Sequence, residues 1–120
     1  MASRDADWDT VREIASKLPG AEEHTSYGQP GFRVARKLFV WMSPSREAEG
    51  ALALRIDPDE KPLLISSSPN VYFETPHYHG HPIVLVHLDA ISRAELTERV
   101  EDAWALRAPR RLLTERAGAA

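Results

Sequence analysis

Cysteine is absent from the 120 residues, so disulfide frameworks, thiolate metal ligands and cysteine nucleophiles are all excluded. Long apolar runs are absent too. No stretch approaches the roughly 20 residues a membrane-spanning helix needs. The opening MASRDADWDTVREI lacks the apolar core of a secretory signal, which makes a cytoplasmic location the default expectation. The phosphate-cradling patterns GxxxxGKS/T and GxGxxG do not occur, nor does the GxSxG nucleophile elbow. Ser26 follows His24 by two residues but has no ordered acid partner. Glu22 with Glu23, and Asp57 with Asp59, read as caps and solvated charges near helix ends. The expectation is a protein without catalysis of its own and without a cofactor.

What is present fits one soluble globular domain: 42% hydrophobic and 28% charged residues, with a formal net charge of −3. The charge is unevenly spread. Between Gly31 and Trp41 the charged residues are Arg33, Arg36 and Lys37, with no acid; from Ala103 onward, Arg107, Arg110, Arg111 and Arg116 face only Glu115. The acidic excess lies elsewhere, so a basic face on an acidic protein is permitted.

Periodicity gives the elements. Trp8, Val11, Ile14, Ala15 and Leu18 recur at helical spacing, Asp5, Asp7 and Asp9 crowd the helix start, and Pro19-Gly20 stops it. FRV and KLFVWM read as strands about a tight turn at Ala35-Arg36. ALALRI alternates, with Leu52, Leu54 and Ile56 on one face and Ala51, Ala53 and Arg55 on the other. DPDE starts a helix with Asp57 as cap, Pro58 in the first position and Glu60 completing a capping box. Pro62 would clash inside that helix and predicts a short or distorted one. NVYFET and PIVLVHLD are two further strands. Ser92 with Glu95 makes a capping box, Ile91 with Leu96 a hydrophobic staple, and Leu96, Val100, Ala103 and Trp104 the buried stripe of a last helix that Pro109 ends.

The resulting order, α-β(3)-α-β(2)-α, predicts a two-layer α+β domain: a mostly antiparallel five-stranded sheet with helices on one face and the other face open. Residues 1–112 form the expected domain and 113–120 a flexible tail. Arg55 should lie on the open face, joined by His87 if Val84, Val86 and Leu88 face the core.

The segment TPHYHGHP places His77, His79 and His81 at alternate positions, as a metal site would. Pro76, Gly80 and Pro82 break that alternation, and no HExxH helix supplies further ligands. A hydrogen-bonding turn is the favoured reading, a ligand or phosphate surface built on His77 and Tyr78 the next, and a metal site the last.

Four blocks carry a family likeness. LPGAEEHTSYGQPGFRV, RIDPDE, TPHYHGHPIVLVHLD and EDAWALRAPRRL occur in the order seen in the MmcQ/YjbR-like proteins, and the chain resembles that family from about Leu18 to Leu112. The resemblance implies an α-β(3)-α-β(2)-α fold similar to secretion chaperones, and DNA binding through a double wing. The positions it carries over are His24, Tyr27, Gly28, Pro30, Phe32, Lys37, Phe39, His77, Tyr78, Gly80, Pro82, Asp102, Trp104, Pro109 and Arg110. It implies no catalytic set.

Two functions from different classes follow. The first is a DNA-binding module contacting phosphates through Arg33, Arg36, Lys37, Arg55, Arg110 and Arg111, with His77 and Tyr78 beside them and Trp41 or Tyr78 available to stack on a base. The second is a protein- or small-ligand-binding domain, dimeric through the open face, with no nucleic-acid role. No membrane partner is expected.

Overall fold

The computed structural model describes residues 7–118; Asp5, placed at the first helix start above, lies outside them. Helix α1 (Trp8–Ala15) is followed by β1 (Glu22–Ser26), β2 (Gln29–Val34), β3 (Lys37–Met42) and β4 (Leu52–Arg55). Helix α2 (Lys61–Ser67), β5 (Tyr72–Phe73), β6 (Ile83–Val86), α3 (Arg93–Arg107) and α4 (Arg110–Gly118) complete the chain. The six strands form one antiparallel sheet in the order β1-β2-β3-β4-β6-β5. The α+β class is as the pattern predicts, with one strand and one helix more.

The extra strand is β1, whose sequence EEHTS has no apolar alternation. It is an edge strand, which one neighbour suffices to hold and whose side chains meet water. The Arg12 guanidinium anchors it to α1 by donating to both oxygens of Glu23, with Nη2 at 3.0 Å. The extra helix is α4, where a tail beyond residue 112 was expected. Pro109 ends α3 but accepts, through its carbonyl, from the amide nitrogens of Leu112 and Leu113, and so begins a new helix. Leu112 is buried, and Arg116 donates to Glu101 of α3 at 2.7 Å.

Helix α2 also differs from its expected start. Asp57 caps only a turn, accepting from the Asp59 amide at 2.8 Å, and the helix begins at Lys61. Pro62 then falls in the first turn, where it has no amide bond to lose. In α3 the Ser92 hydroxyl accepts from the Glu95 amide at 3.1 Å as the capping box requires. The Glu95 carboxylate instead accepts a hydrogen bond from the hydroxyl of buried Tyr72. Burial first, and that bond second, push the Tyr72 phenol above its ordinary range.

Helix α3 packs across β2, β3 and β4 and against α1. Between these layers lies the main core, including Phe32, Phe39, Leu52, Leu54, Val84, Leu96 and Val100. Trp104 adds a hydrogen bond from its indole nitrogen to the Pro19 carbonyl at 2.9 Å. The opposite face of the sheet is only partly open, a correction to the expected bare surface. Ala53 and Leu85 there are buried with Ala48, Ala51 and Tyr78, beneath the 3-10 turn Arg46–Ala48 and the segment 74–82.

One side chain fixes that covering segment. Lys61 is 7% exposed, and its ammonium donates to the Tyr78 carbonyl at 2.9 Å and the His81 carbonyl at 2.8 Å, and meets the Glu74 carboxylate at 2.7 Å. Three protons meet three acceptors, which removes the penalty of burying the charge. Glu74's second oxygen pairs with Nδ1 of His79 at 2.8 Å. Lys61 first, and His79 second, hold the Glu74 carboxyl below its usual range.

Two outcomes follow. The β2–β3 hairpin turns on Ala35 and Arg36, both at positive φ (52° and 69°), as a type I′ turn requires but L-residues disfavour. Replacing them with Asn-Gly is expected to raise stability by about 1 kcal/mol, read as a higher urea midpoint at unchanged slope. Lys61→Met leaves two carbonyls and a carboxylate without their donor and is expected to lose about 2–4 kcal/mol. A folded carboxyl pKa held below its unfolded value stabilises fully above that unfolded value, and the contribution disappears as pH falls through the folded one. The drop in urea midpoint from pH 6 to pH 3 should therefore be smaller in Lys61→Met than in the parent; an equal drop in both would contradict the clamp.

Candidate functional site

Beside the covered patch, the open face of the sheet holds an apolar groove of about 350 Å³. Its floor is Leu38, Trp41 and Ile83; Ser26 and Tyr27 stand at one side, His77, Tyr78 and His81 at the other, with Pro44 at one end. Register explains the floor. His24, Gly31, Trp41, Ala53 and Leu85 lie in one row across five strands, all on the face away from the helices. Gly31 is required by this row, since a Cβ there would stand 2.8 Å from the Cβ of Trp41 and 3.3 Å from Leu38. The missing side chain is what lets the Trp41 ring lie low.

Tyr27 is the unusual member. It is the first residue of a two-residue turn between β1 and β2, at φ 53° with Gly28 at 76°, and it is 90% exposed. A bulky residue in the left-handed region is an outlier, and an aromatic ring left in water gains nothing from folding. Neither feature is needed for the turn, which Asn-Gly would make with less strain.

The other wall is rigid by construction. Tyr78 is 4% exposed, and its hydroxyl shares a 2.9 Å hydrogen bond with Ser43 Oγ. It is therefore a packed wall, and the expectation that it stacks on an incoming base is corrected. His77 is exposed and meets the Tyr78 ring edge-on, at 4.8 Å between centroids and 89° between planes. His79 is engaged with Glu74, while His77 and His81 line the groove. Among the described residues, no three His, Asp or Glu side chains stand together to hold a metal ion. The alternation fails as Gly80 suggested, because that residue sits at φ 82°.

The cations predicted from the sequence meet different fates. Arg33 donates to Glu22 at 3.1 Å and is partly neutralised. Arg36 and Lys37 stand exposed at the β2–β3 turn, and Arg110 and Arg111 at the start of α4. Among the described residues no carboxylate lies within 4 Å of any of these four. Leu112 touches the position of Gly20, next to Val34, so the start of α4 lies beside the end of β2 that leads into the basic turn. Arg55 is half-buried at the end of β4. His87 reaches the open face as expected, stacked on Phe73 at 4.2 Å.

Sequence reasoning missed Ser26, Leu38, Pro44 and Ile83 as groove residues, and Lys61 as the residue that holds its wall. A lysine after three acids reads as a solvated charge; its only distinguishing sign was Pro62, which forces the helix to begin there.

The YjbR family model matches residues 16–106 of the chain. Uncharacterised proteins of Mycobacterium bovis and Mycobacterium tuberculosis are each 34% identical over 123 aligned positions, covering 90% of this chain and 93% of theirs. A crystal structure of a Deinococcus radiodurans protein with a DUF419 domain superposes with a TM-score of 0.72 at 18% identity, over 88% of this chain and 81% of that one. That likeness supports the fold. With the match extending across the groove, the clamp and the main core, the chain belongs to the YjbR family.

Proposed function

We propose that the chain is a non-enzymatic binding domain whose groove takes a small ligand, or a single side chain of a peptide, with a planar apolar body. The observation that carries this reading is Tyr27, nine-tenths exposed and backbone-strained at the mouth of a groove floored by Trp41. At about 350 Å³ the groove lies in the size range of small-molecule sites and, like them, is mostly apolar with few polar groups. Aromatic rings with water on one face provide area that a planar partner can cover. Chemistry is not assigned, because the groups that might supply it are engaged. Ser43 is bonded to Tyr78, Glu74 bridges Lys61 and His79, and Lys61 has no free proton to give.

A second reading, DNA binding, is supported by the exposed Arg36, Lys37, Arg110 and Arg111, which have no acid within 4 Å among the described residues. Such groups engage phosphates whatever the sequence, and Trp41 or Tyr27 would offer a face to an unpaired base.

Two measurements test these. Titrating ¹⁵N-labelled protein with adenosine and with N-acetyl-tryptophanamide should shift Ser26, Tyr27, His81 and the Trp41 indole. Tyr27→Ala is expected to weaken binding about threefold to tenfold. Absence of groove shifts at millimolar probe would remove the first reading. For DNA, about four phosphate contacts predict that log K falls with log salt at a slope near −3.6, and that an Arg110/Arg111 double alanine flattens it by about half. A salt-independent response, or no binding in low salt, ends the second.

A further inference from the structure

The groove floored by Trp41 has two unlike sides. Tyr27 stands at one with the apolar floor beneath it; the other carries two imidazoles, His77 and His81, both exposed, with buried Tyr78 beside them. Among the described residues, no carboxylate, ammonium or guanidinium lines this groove. The imidazoles also lack a counter-charge. Of the three histidines on the segment 74–82, only His79 has a carboxylate within 4 Å among the described residues, that of Glu74.

Both imidazoles hang from fixed backbone. The His81 carbonyl accepts from the Lys61 ammonium at 2.8 Å and from the Ile83 amide at 2.7 Å. His77 lies edge-on against the Tyr78 ring, which the bond to Ser43 holds in place. Donors set in position before a ligand arrives lose less freedom when it binds. An occupant must therefore cover the rings with a flat apolar body and turn an acceptor toward the imidazole side. A cation meets no charged acceptor there. A neutral amide makes bonds of ordinary strength, whereas a carboxylate makes charge-assisted ones, about twice as strong.

We propose that the groove selects planar aromatic carboxylic acids, with the ring over Trp41 beside Tyr27 and the carboxylate facing His77 and His81. This rests on the reading of the groove as a small-ligand site and adds the sign of the ligand's charge.

Three probes that share an indole body and differ in charge test it: indole-3-acetate, indole-3-acetamide and tryptamine. Each is titrated into the ¹⁵N-labelled full chain at about pH 6, where imidazoles as a class are partly charged, and read at the Trp41 indole and the histidine ring nitrogens. Indole-3-acetate should bind about tenfold or more tighter than the amide, the gain of a charge-assisted bond, and tryptamine should bind weakest. Combining His77→Ala with His81→Ala should abolish that preference while the amide still binds, which also shows that the variant is folded. His87→Ala, an exposed histidine of the same face outside the groove, should leave the preference intact. Because imidazoles lose their charge between about pH 5 and pH 8, the preference should shrink as the pH is raised to about 8. The other ionisable groups bordering this wall are Tyr27 and Tyr78 in the groove, Lys61, Glu74 and His79 behind His81, and Arg55 beside Ile83. His79→Ala removes the one imidazole among them and should leave the pH response in place. Equal affinity for acetate and amide, tightest binding of tryptamine, or a double-alanine variant that keeps the preference overturns this inference and leaves the groove reading standing. No groove shift with any of the three probes removes both.

Discussion

The ammonium of Lys61 has three protons and, once it is buried, must find three acceptors. It finds two of them on the segment 74–82, at Tyr78 and His81, and the third on Glu74 at its start. A charge without water tolerates no looser arrangement, so the segment has little freedom to move while the lysine stays inside. That segment carries Tyr78, His77 and His81, which make up one wall of the groove. A single buried cation on the first turn of a seven-residue helix thus fixes a binding surface on the far face of the sheet. The helix itself is set in place by Pro62, which belongs only in a first turn.

The sheet has to solve two problems at once, and they meet at Trp41. One face is filled by α1 and α3 and holds the main core. The other carries small residues, Ala51 just before β4 and Ala53 within it, over which the short turn at residues 46–48 and the Tyr78 segment can settle. Trp41 lies beside these alanines, too large to be covered by the same loops. The absent side chain of Gly31 lets its ring lie against the sheet. The groove is the residue of that mismatch in size: covered where the floor is alanine, open where it is tryptophan and leucine.

How much of this was legible in the sequence follows from which signals are local. Helix α3 could be read almost entirely, because its cap, staple and stripe lie within or directly before the helix. The Ala35-Arg36 turn was legible because two apolar strands flank it. Strand β1 was not, since EEHTS at a sheet edge needs neither apolar face nor alternation. Helix α4 was missed because most of its side chains meet water; what fixes it is long-range, Leu112 against the place of Gly20 and Arg116 against Glu101. The site divides the same way. Tyr27 and His77 stood out as motif positions. Tyr78 was read as exposed, because nothing near it announces Ser43, thirty-five residues away. Arg55 was noticed for its strand phase, and it pairs with Ile83 on the face that phase predicts.

Charge obeys the same logic of placement. The acids outnumber the bases by three, yet most of the carboxylates on the helices and on β1 are already matched: Glu13 by Arg93, Glu22 by Arg33, Glu23 by Arg12, Glu98 by Arg99, Glu101 by Arg116. Each such exposed pair contributes little stability, about 0–1 kcal/mol. Their larger effect is on the field, because a matched pair is nearly silent beyond a few ångströms of water and salt. Among the described residues, what remains to be felt at a distance is the set without a partner: Arg36, Lys37, Arg55, Arg107, Arg110 and Arg111 stand toward the end of the sheet where β3 begins, and the exposed acids Asp57, Asp59 and Glu60 follow β4 at the same end. The net charge of −3 therefore misstates what an approaching molecule meets there.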